Sequence, residues 1–395
     1  MSDAPPTRLL RVELTDVRPF ARAAVALDPA GVTVLVGPNG AGKTTVLEAI
    51  AYLGTQRSFR TSSRDAIVRR GADRAIVRAT CTREGRPLLV ESELSATGGA
   101  RTLVNRQSVR GRAALARALP VSVFSPEDLG LVQGPPVRRR EILDATLRMV
   151  DTAVAQSLDD LDRVLRQRAA LLRHAGGRLG PEIATTLDVW DERLCRAGES
   201  VADARDALVR ELGPYVADAY DGIAAESEIA AREALGEALC EDAGNARSAR
   251  NAGDAAPGTP VALSYRRSWT GTLAEGLAAS RKDDVRRAAS TVGPQRDELS
   301  LSLGPRDARV AASQGEQRTL ALALRLGVHR LVTERTGAAP LLLLDDVFSE
   351  LDAARSRALV RRLPPGQALL TAAAQVPEDI AAAAVVDVRS VGRRP

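Results

Sequence analysis

The chain has 395 residues, 45 % hydrophobic and 27 % charged, with 55 basic side chains against 50 acidic ones and a formal net charge of +5. That length carries a large core and two or three domains, and no apolar run reaches the roughly 20 residues of a membrane-spanning helix. The isolated cysteines Cys81, Cys195 and Cys240 and the two histidines His174 and His329 exclude a disulfide scaffold, a structural zinc site and histidine catalysis; with an N-terminus unlike a signal peptide, they lead to the expectation of a cytoplasmic protein.

Leu9 to Leu27 alternates as strands do, and Pro29-Ala30-Gly31 makes a turn. Val32–Val36 is a short β-branched run and reads as a buried strand. Gly37-Pro38-Asn39-Gly40-Ala41-Gly42-Lys43-Thr44 follows, and Thr45 begins an apolar helix. Strand, glycine-rich loop and helix in that order form a phosphate-binding loop. Its glycines turn backbone N–H groups toward phosphate oxygens, and the helix N-terminus adds partial positive charge. Lys43 is expected to reach the β/γ-phosphates and Thr44 to join a Mg²⁺ shell, with Gly37 through Thr45 as the ATP-binding stretch. Only Lys43 and Lys282 are lysine, so a compact ammonium stands where the loop needs one.

Ala75–Cys81 and Pro87–Leu94 read as strands of a meander. Near Pro136 the period changes to three and four residues. One apolar stripe runs from Leu143 to Leu172 and a second from Ile183 to Leu212, across the turn Gly176–Pro181. The pattern predicts a helical hairpin with arms of about 30 residues, each roughly 45 Å long. Cys240–Pro260 is rich in Ala, Gly, Asn and Asp and reads as a loop.

Roughly three hundred residues after the phosphate loop, Leu341–Leu344 is an apolar strand ending in Asp345 and Asp346. Asp345 is placed to hold Mg²⁺, and Asp346 to orient or deprotonate the attacking water. Upstream stands Ser313-Gln314-Gly315-Glu316-Gln317. These segments predict an α/β ATPase head built from both termini with an inserted helical domain. The expected division is 1–135 head, 136–235 hairpin, 236–262 loop and 263–395 head. Basic clusters place Arg57, Arg60, Arg69, Arg70, Arg139 and Arg140 as candidate DNA contacts. With aromatics at 3 %, phosphate contact rather than base stacking is the expected mode.

The ordered motifs resemble the RecF family of recombination mediator ATPases, related to SMC and Rad50 heads. The resemblance rests on Leu53-Gly54…Arg57-Ser58-Phe59-Arg60-Thr61, Phe124–Leu129, Gly134–Asp144, Gly293-Pro294-Gln295-Arg296-Asp297, Ala312–Leu324 and Asp345-Asp346…Ser349-Glu350-Leu351-Asp352. It implies an ABC-type P-loop head and a weak Mg-dependent ATPase that forms a homodimer on ATP. Ser313 and Gly315, with Gln317 in the same segment, would receive the nucleotide of the opposite subunit, and Asp352 would face that subunit. It also implies binding to gapped duplex or ss/ds junction DNA, and help in loading RecA with RecO and RecR. Departures are visible: Gln295 replaces a usual histidine, Glu316 a common glutamine, and Asp16–Phe20 a Phe-Arg-Asn-Tyr-like stretch. The alternative is a nucleotide-gated DNA clamp or divergent SMC-like ATPase without significant hydrolysis or RecR partnership.

Overall fold

The computed structural model describes residues 6–61, 63, 65–109, 111–241, 260–351, 353–372 and 380–393. They form two compact units, one from 1–133, 214–261 and 303–395, the other from 134–213 and 262–302. The larger unit opens with β1 (Arg8–Val17), β2 (Phe20–Ala26), β3 (Val32–Val36) and α1 (Lys43–Thr55). β4 (Arg74–Arg83), β5 (Arg86–Ser95), β6 (Ala100–Val104) and β7 (Gln107–Ser108) lead to α2 (Arg112–Ala118), β8 (Val121–Phe124) and α3 (Gly130–Gln133). The smaller unit holds α4 (Pro136–Val150), α5 (Thr152–His174), the first part of α6 (Pro181–Glu241), most of β9 (Val261–Arg266), α7 (Leu273–Arg287) and most of β10 (Glu298–Leu303). The larger unit resumes with β11 (Arg306–Asp307), α8 (Ala308–Ala311), α9 (Gln314–Thr336), β12 (Leu341–Leu344), α10 (Ala353–Arg361), β13 (Ala368–Ala372), β14 (Ala382–Asp387) and β15 (Gly392–Arg393).

Two sheets build the larger unit. One has seven strands in the order β15-β2-β1-β4-β5-β6-β7, the other five in the order β14-β3-β13-β12-β8. In the first, β4 alternates strictly, with Ala75, Val77, Ala79 and Cys81 buried. β1 buries Leu9, Val12, Leu14 and Val17, and its step from Leu9 to Val12 breaks the period of two. A register shift between Leu9 and Arg11 absorbs the extra residue as a bulge. The opposite face carries cross-strand charge pairs such as Arg78 with Glu91 at 2.8 Å.

The second sheet is parallel in its four described ladders. Its strand β12, between β13 and β8, is buried along its whole length, as an unbroken leucine run requires when both faces are covered. Helix α1 packs against strands of both sheets, and from Thr45 through Gly54 every residue is buried. That double cover explains why α1 shows no polar face in its sequence. Gln367 adds a polar tie: its amide donates to the carbonyls of Leu9 (2.6 Å) and Asp28 (2.7 Å) and accepts from Leu9 N–H (2.8 Å).

Several domain boundaries require correction. The segment 262–302 lies in the smaller unit instead of returning to the head. It is held there by Asp284, fully buried on α7, with Oδ2 2.8 Å from Nη1 of Arg168 on α5. Conversely, α6 does not end near Leu212. It continues through Pro214 to Glu241, and from 214 onward belongs to the larger unit. Tyr215 donates to Glu334 (2.6 Å) and Arg330 to Asp218 (2.9 Å), so this later part lies along α9. The first hairpin arm is two helices rather than one, because Asp151 leaves the helical conformation and caps α5 by accepting from Val154 N–H. Of the loop expected at 236–262, the residues up to Glu241 are helical, Val261 begins β9, and residues 242–259 lie outside the described residues.

Candidate functional site

The phosphate loop leaves β3 at its carboxyl end and enters α1 at Lys43. Gly37 and Gly42 hold φ of 151° and 105°, in the region open to glycine, which lets the loop backbone turn back on itself. A Cβ on Gly42 would lie 2.4 Å from Cζ of Phe20, so the β1–β2 turn also demands glycine there. Lys43 curls across the loop and donates from Nζ to the carbonyls of Gly37 (2.7 Å) and Pro38 (3.2 Å).

Asp345 reaches the same place from 301 residues away. Thr44 Oγ1 donates to Asp345 Oδ1 at 2.9 Å, and Thr371 Oγ1 donates to the same oxygen at 3.0 Å. Burial pushes the Asp345 carboxyl up from its ordinary pKa. The hydrogen bonds from Thr44 and Thr371 and the charge of Arg60 oppose that rise, while Asp346 adds to it. Asp346 has a left-handed backbone (φ 48°), and its N–H is held by Thr371 Oγ1 at 2.8 Å. Thr371, 2 % exposed at the end of β13, therefore serves both aspartates. The apolar run before it signals a strand, but no local signal marks the hydroxyl's role.

Glu48, 1 % exposed on α1, is a second residue that sequence reasoning passed over. It accepts from Arg18 Nη2 (2.9 Å) and from the Ser58 hydroxyl, and lies 4.0 Å from Arg60 Nη1. An acid inside a wholly buried helix is the available signal, visible only once the cover on all sides is known.

Ser313 caps α9 in a capping box: Glu316 N–H donates to Ser313 Oγ (3.2 Å), and Ser313 N–H to Glu316 Oε2 (2.7 Å). Gln317 donates from Nε2 to the Ala312 carbonyl at 2.9 Å, and Gly315 lies in the first turn. Glu316, noted as a departure, is thus the acid that completes the cap. Asp352 lies outside the described residues, as do residues 373–379 after β13.

The basic candidates separate by environment. Arg57, Arg60 and Arg70 are exposed, and Arg69 is paired with Asp16 at 2.7 Å. Arg139 requires correction as a surface cation. It is 4 % exposed, with Nη2 2.9 Å from Glu298 and Nη1 donating to the Gly134 carbonyl at 3.1 Å. Arg140, half-buried, donates to the Asp297 carbonyl at 2.5 Å.

The donor set fits an ATP–Mg²⁺ pair. The loop offers a glycine-lined cradle with an ammonium beside it, and Thr44 and Asp345 present adjacent oxygens. Magnesium characteristically takes one or two carboxylates and completes its shell with phosphate oxygens and water. Among the described residues there is no cluster of three or more His, Cys, Asp or Glu suited to an all-protein metal cage. No helix among the described residues is long and apolar enough to cross a membrane.

Comparison with known proteins identifies the family. The RecF/RecN/SMC N terminal domain family matches residues 8–373. A DNA replication and repair protein RecF of Beutenbergia cavernae is 40 % identical over 386 residues, covering 93 % of this chain and 94 % of that protein. The RecF of Streptomyces avermitilis is 39 % identical, again covering 93 % and 94 %. Among solved structures, the recombination mediator protein RecF-ATPrS of the RecFOR pathway superposes with a TM-score of 0.78 at 24 % identity over 98 % of both chains. The corresponding RecF-ATP structure gives 0.77 at 24 % identity, covering 94 % of this chain and 93 % of that one. The fold is therefore that of an ABC-type ATPase head, and the chain belongs to the RecF family.

Proposed function

We propose that this chain is an ATP-dependent DNA-binding protein of recombinational repair that closes into a homodimer on ATP. The observation that carries the reading is the Thr44–Asp345 hydrogen bond, which joins the phosphate loop to the acidic strand. Lys43 exchanges its carbonyl partners for the β/γ-phosphates, an ammonium being the better donor to an anion. Thr44 and Asp345 hold Mg²⁺, which when bound neutralises charge on the phosphate oxygens. Asp346, fixed by the Thr371 hydroxyl at its backbone, orients the attacking water and accepts its proton. Ser313 and Gly315 receive the γ-phosphate of the opposite subunit's ATP, with Gln317 in the same segment. ATP is then a ligand of the dimer, which it stabilises by mass action until slow hydrolysis resets it.

DNA at ss/ds junctions or gaps is bound through phosphates, with Arg57, Arg60 and Arg70 as the exposed contacts. The protein assists RecA loading with RecO and RecR. A non-hydrolysing clamp is the second reading, favoured by Asp346, whose side chain is one methylene shorter than a glutamate at this position. Light scattering with no nucleotide, ADP or ATP tests the proposal. The expected result is a dimer with ATP alone, absent in Ser313→Arg; a monomer under all three conditions contradicts it. Asp346→Asn separates the readings: it prolongs the ATP dimer of a hydrolysing protein and leaves that of a clamp unchanged.

A further inference from the structure

The phosphate loop is flanked by two carboxylates, of which the reaction uses only Asp345. The other is Asp387, at the carboxyl end of β14. β14 is the parallel neighbour of β3 on the side away from β13 and β12, and Asp387 stands in register with Val36, the last residue before the loop. A Cβ on Gly37 would lie 3.8 Å from Asp387 Oδ1. Ligands of parallel sheets gather outside the carboxyl ends of the strands, where this group lies.

Its surroundings hold it in one orientation. Arg389 donates from Nε to Oδ1 (3.1 Å) and Oδ2 (3.0 Å) and from Nη2 to Oδ2 (2.6 Å), while its own N–H donates to Oδ1 (2.9 Å). The turn that follows is pinned to the other end of the loop by Phe20. Its ring leaves no room for a Cβ at Gly42 (2.4 Å) or at Gly392 (2.6 Å). The Asp387 side chain nevertheless keeps 35 % exposure, so it is both fixed and reachable.

A carboxylate in this position is a poor phosphate contact, because like charges repel. With Mg²⁺ bound, Asp345 would draw the terminal phosphates toward the β12 side and leave the β14 side for the nucleoside. A fixed acid beside a phosphate loop suits ribose hydroxyls, which it accepts from as acidic residues do in dinucleotide-binding folds.

We propose that Asp387, braced by Arg389, reads the ribose of the bound nucleotide and sets a preference for ATP over dATP. This inference rests on the proposed ATP site. Calorimetric titration of the full chain with ATP and with dATP, in Mg²⁺, tests it alongside Asp387→Ala and Arg389→Ala. The unmodified chain is expected to bind ATP roughly tenfold more tightly than dATP, the equivalent of one charged hydrogen bond. Asp387→Ala should bring ATP down to the level of dATP and leave dATP unchanged, with Arg389→Ala between the two. An unaltered ATP-to-dATP ratio in Asp387→Ala overturns the proposal. So does an equal loss for both nucleotides, which marks the residue as a brace for the turn. A chain that binds neither nucleotide sinks the proposed function itself, and this inference with it.

Discussion

The interior of the smaller unit and the phosphate-loop site of the larger one both bury charged side chains, but they treat the charge differently. In the smaller unit, Arg168 is fully buried and lies 2.8 Å from both Asp191 and Asp284, while Arg205 holds Asp144 through two hydrogen bonds of 2.8 and 2.9 Å. Each cation there meets an anion. In the larger unit, the described partners of Lys43 are carbonyl oxygens, and those of Asp345 Oδ1 are hydroxyls. Neutral partners satisfy geometry without cancelling charge. A buried ion paired with its opposite is a fastening, whereas one surrounded by neutral dipoles is held ready for a charged ligand.

Breaking a fastening should have the largest effect on stability. Arg168→Met leaves Asp284 without its cation, while Asp191 keeps Arg281 at 2.8 Å, and is expected to lower unfolding free energy by about 3–5 kcal/mol in chemical denaturation. ATP affinity of the folded fraction should be unchanged; a parallel loss of binding would erase the distinction drawn between the units. Lys43→Ala sharpens the opposite case. Nucleotide affinity should fall roughly 100-fold, with little change in the thermal midpoint measured without nucleotide.

His329 tests the same logic with a group that stays neutral. It is 2 % exposed on α9, and neither ring nitrogen has a hydrogen-bond partner among the described residues. Burial lowers its pKa from 6.5 to about 4. The depressed value means that its contribution is fully present above pH 6.5 and is lost as pH falls toward 4, since the unfolded chain takes up the proton first. Denaturation at pH 7 and pH 4.5 should differ by about 2 kcal/mol more in the unmodified protein than in His329→Leu. An identical pH dependence in the two proteins would remove His329 as the cause. The smallest expected change is Thr371→Val, which takes one neutral donor from Asp345 and one acceptor from the Asp346 N–H. A stability loss of about 1 kcal/mol should accompany a slower ATPase, and a normal rate would show that the hydroxyl does not position the aspartates.

Much of the site was legible because its chemistry is local in sequence. The glycine spacing of the loop, the four leucines before Asp345 and the Ser313–Gln317 segment each declare themselves within a few residues. Thr371, Glu48 and Gln367 do not, because their roles come from partners tens to hundreds of residues away. The same holds for the boundary errors. The apolar stripe ends at Leu212, and Pro214 just beyond it loses a backbone donor and crowds the preceding turn. The helix passes through because residues beyond it pack on α9, where a Cβ on Gly327 would come within 2.9 Å of Val216. Nor does any periodicity tell that 262–302 belongs with α5, a placement fixed by the buried Arg168–Asp284 pair.

The central claim is that both ends of the chain build one Mg²⁺–ATP site. The most direct measurement is ATP titration by calorimetry with Mg²⁺ and with chelator, for the unmodified chain and Asp345→Asn. The account predicts that Mg²⁺ tightens ATP binding to the unmodified chain and that the substitution abolishes this gain, although Asp345 lies 301 residues from Thr44. An Asp345→Asn protein with the full Mg²⁺ dependence would contradict it.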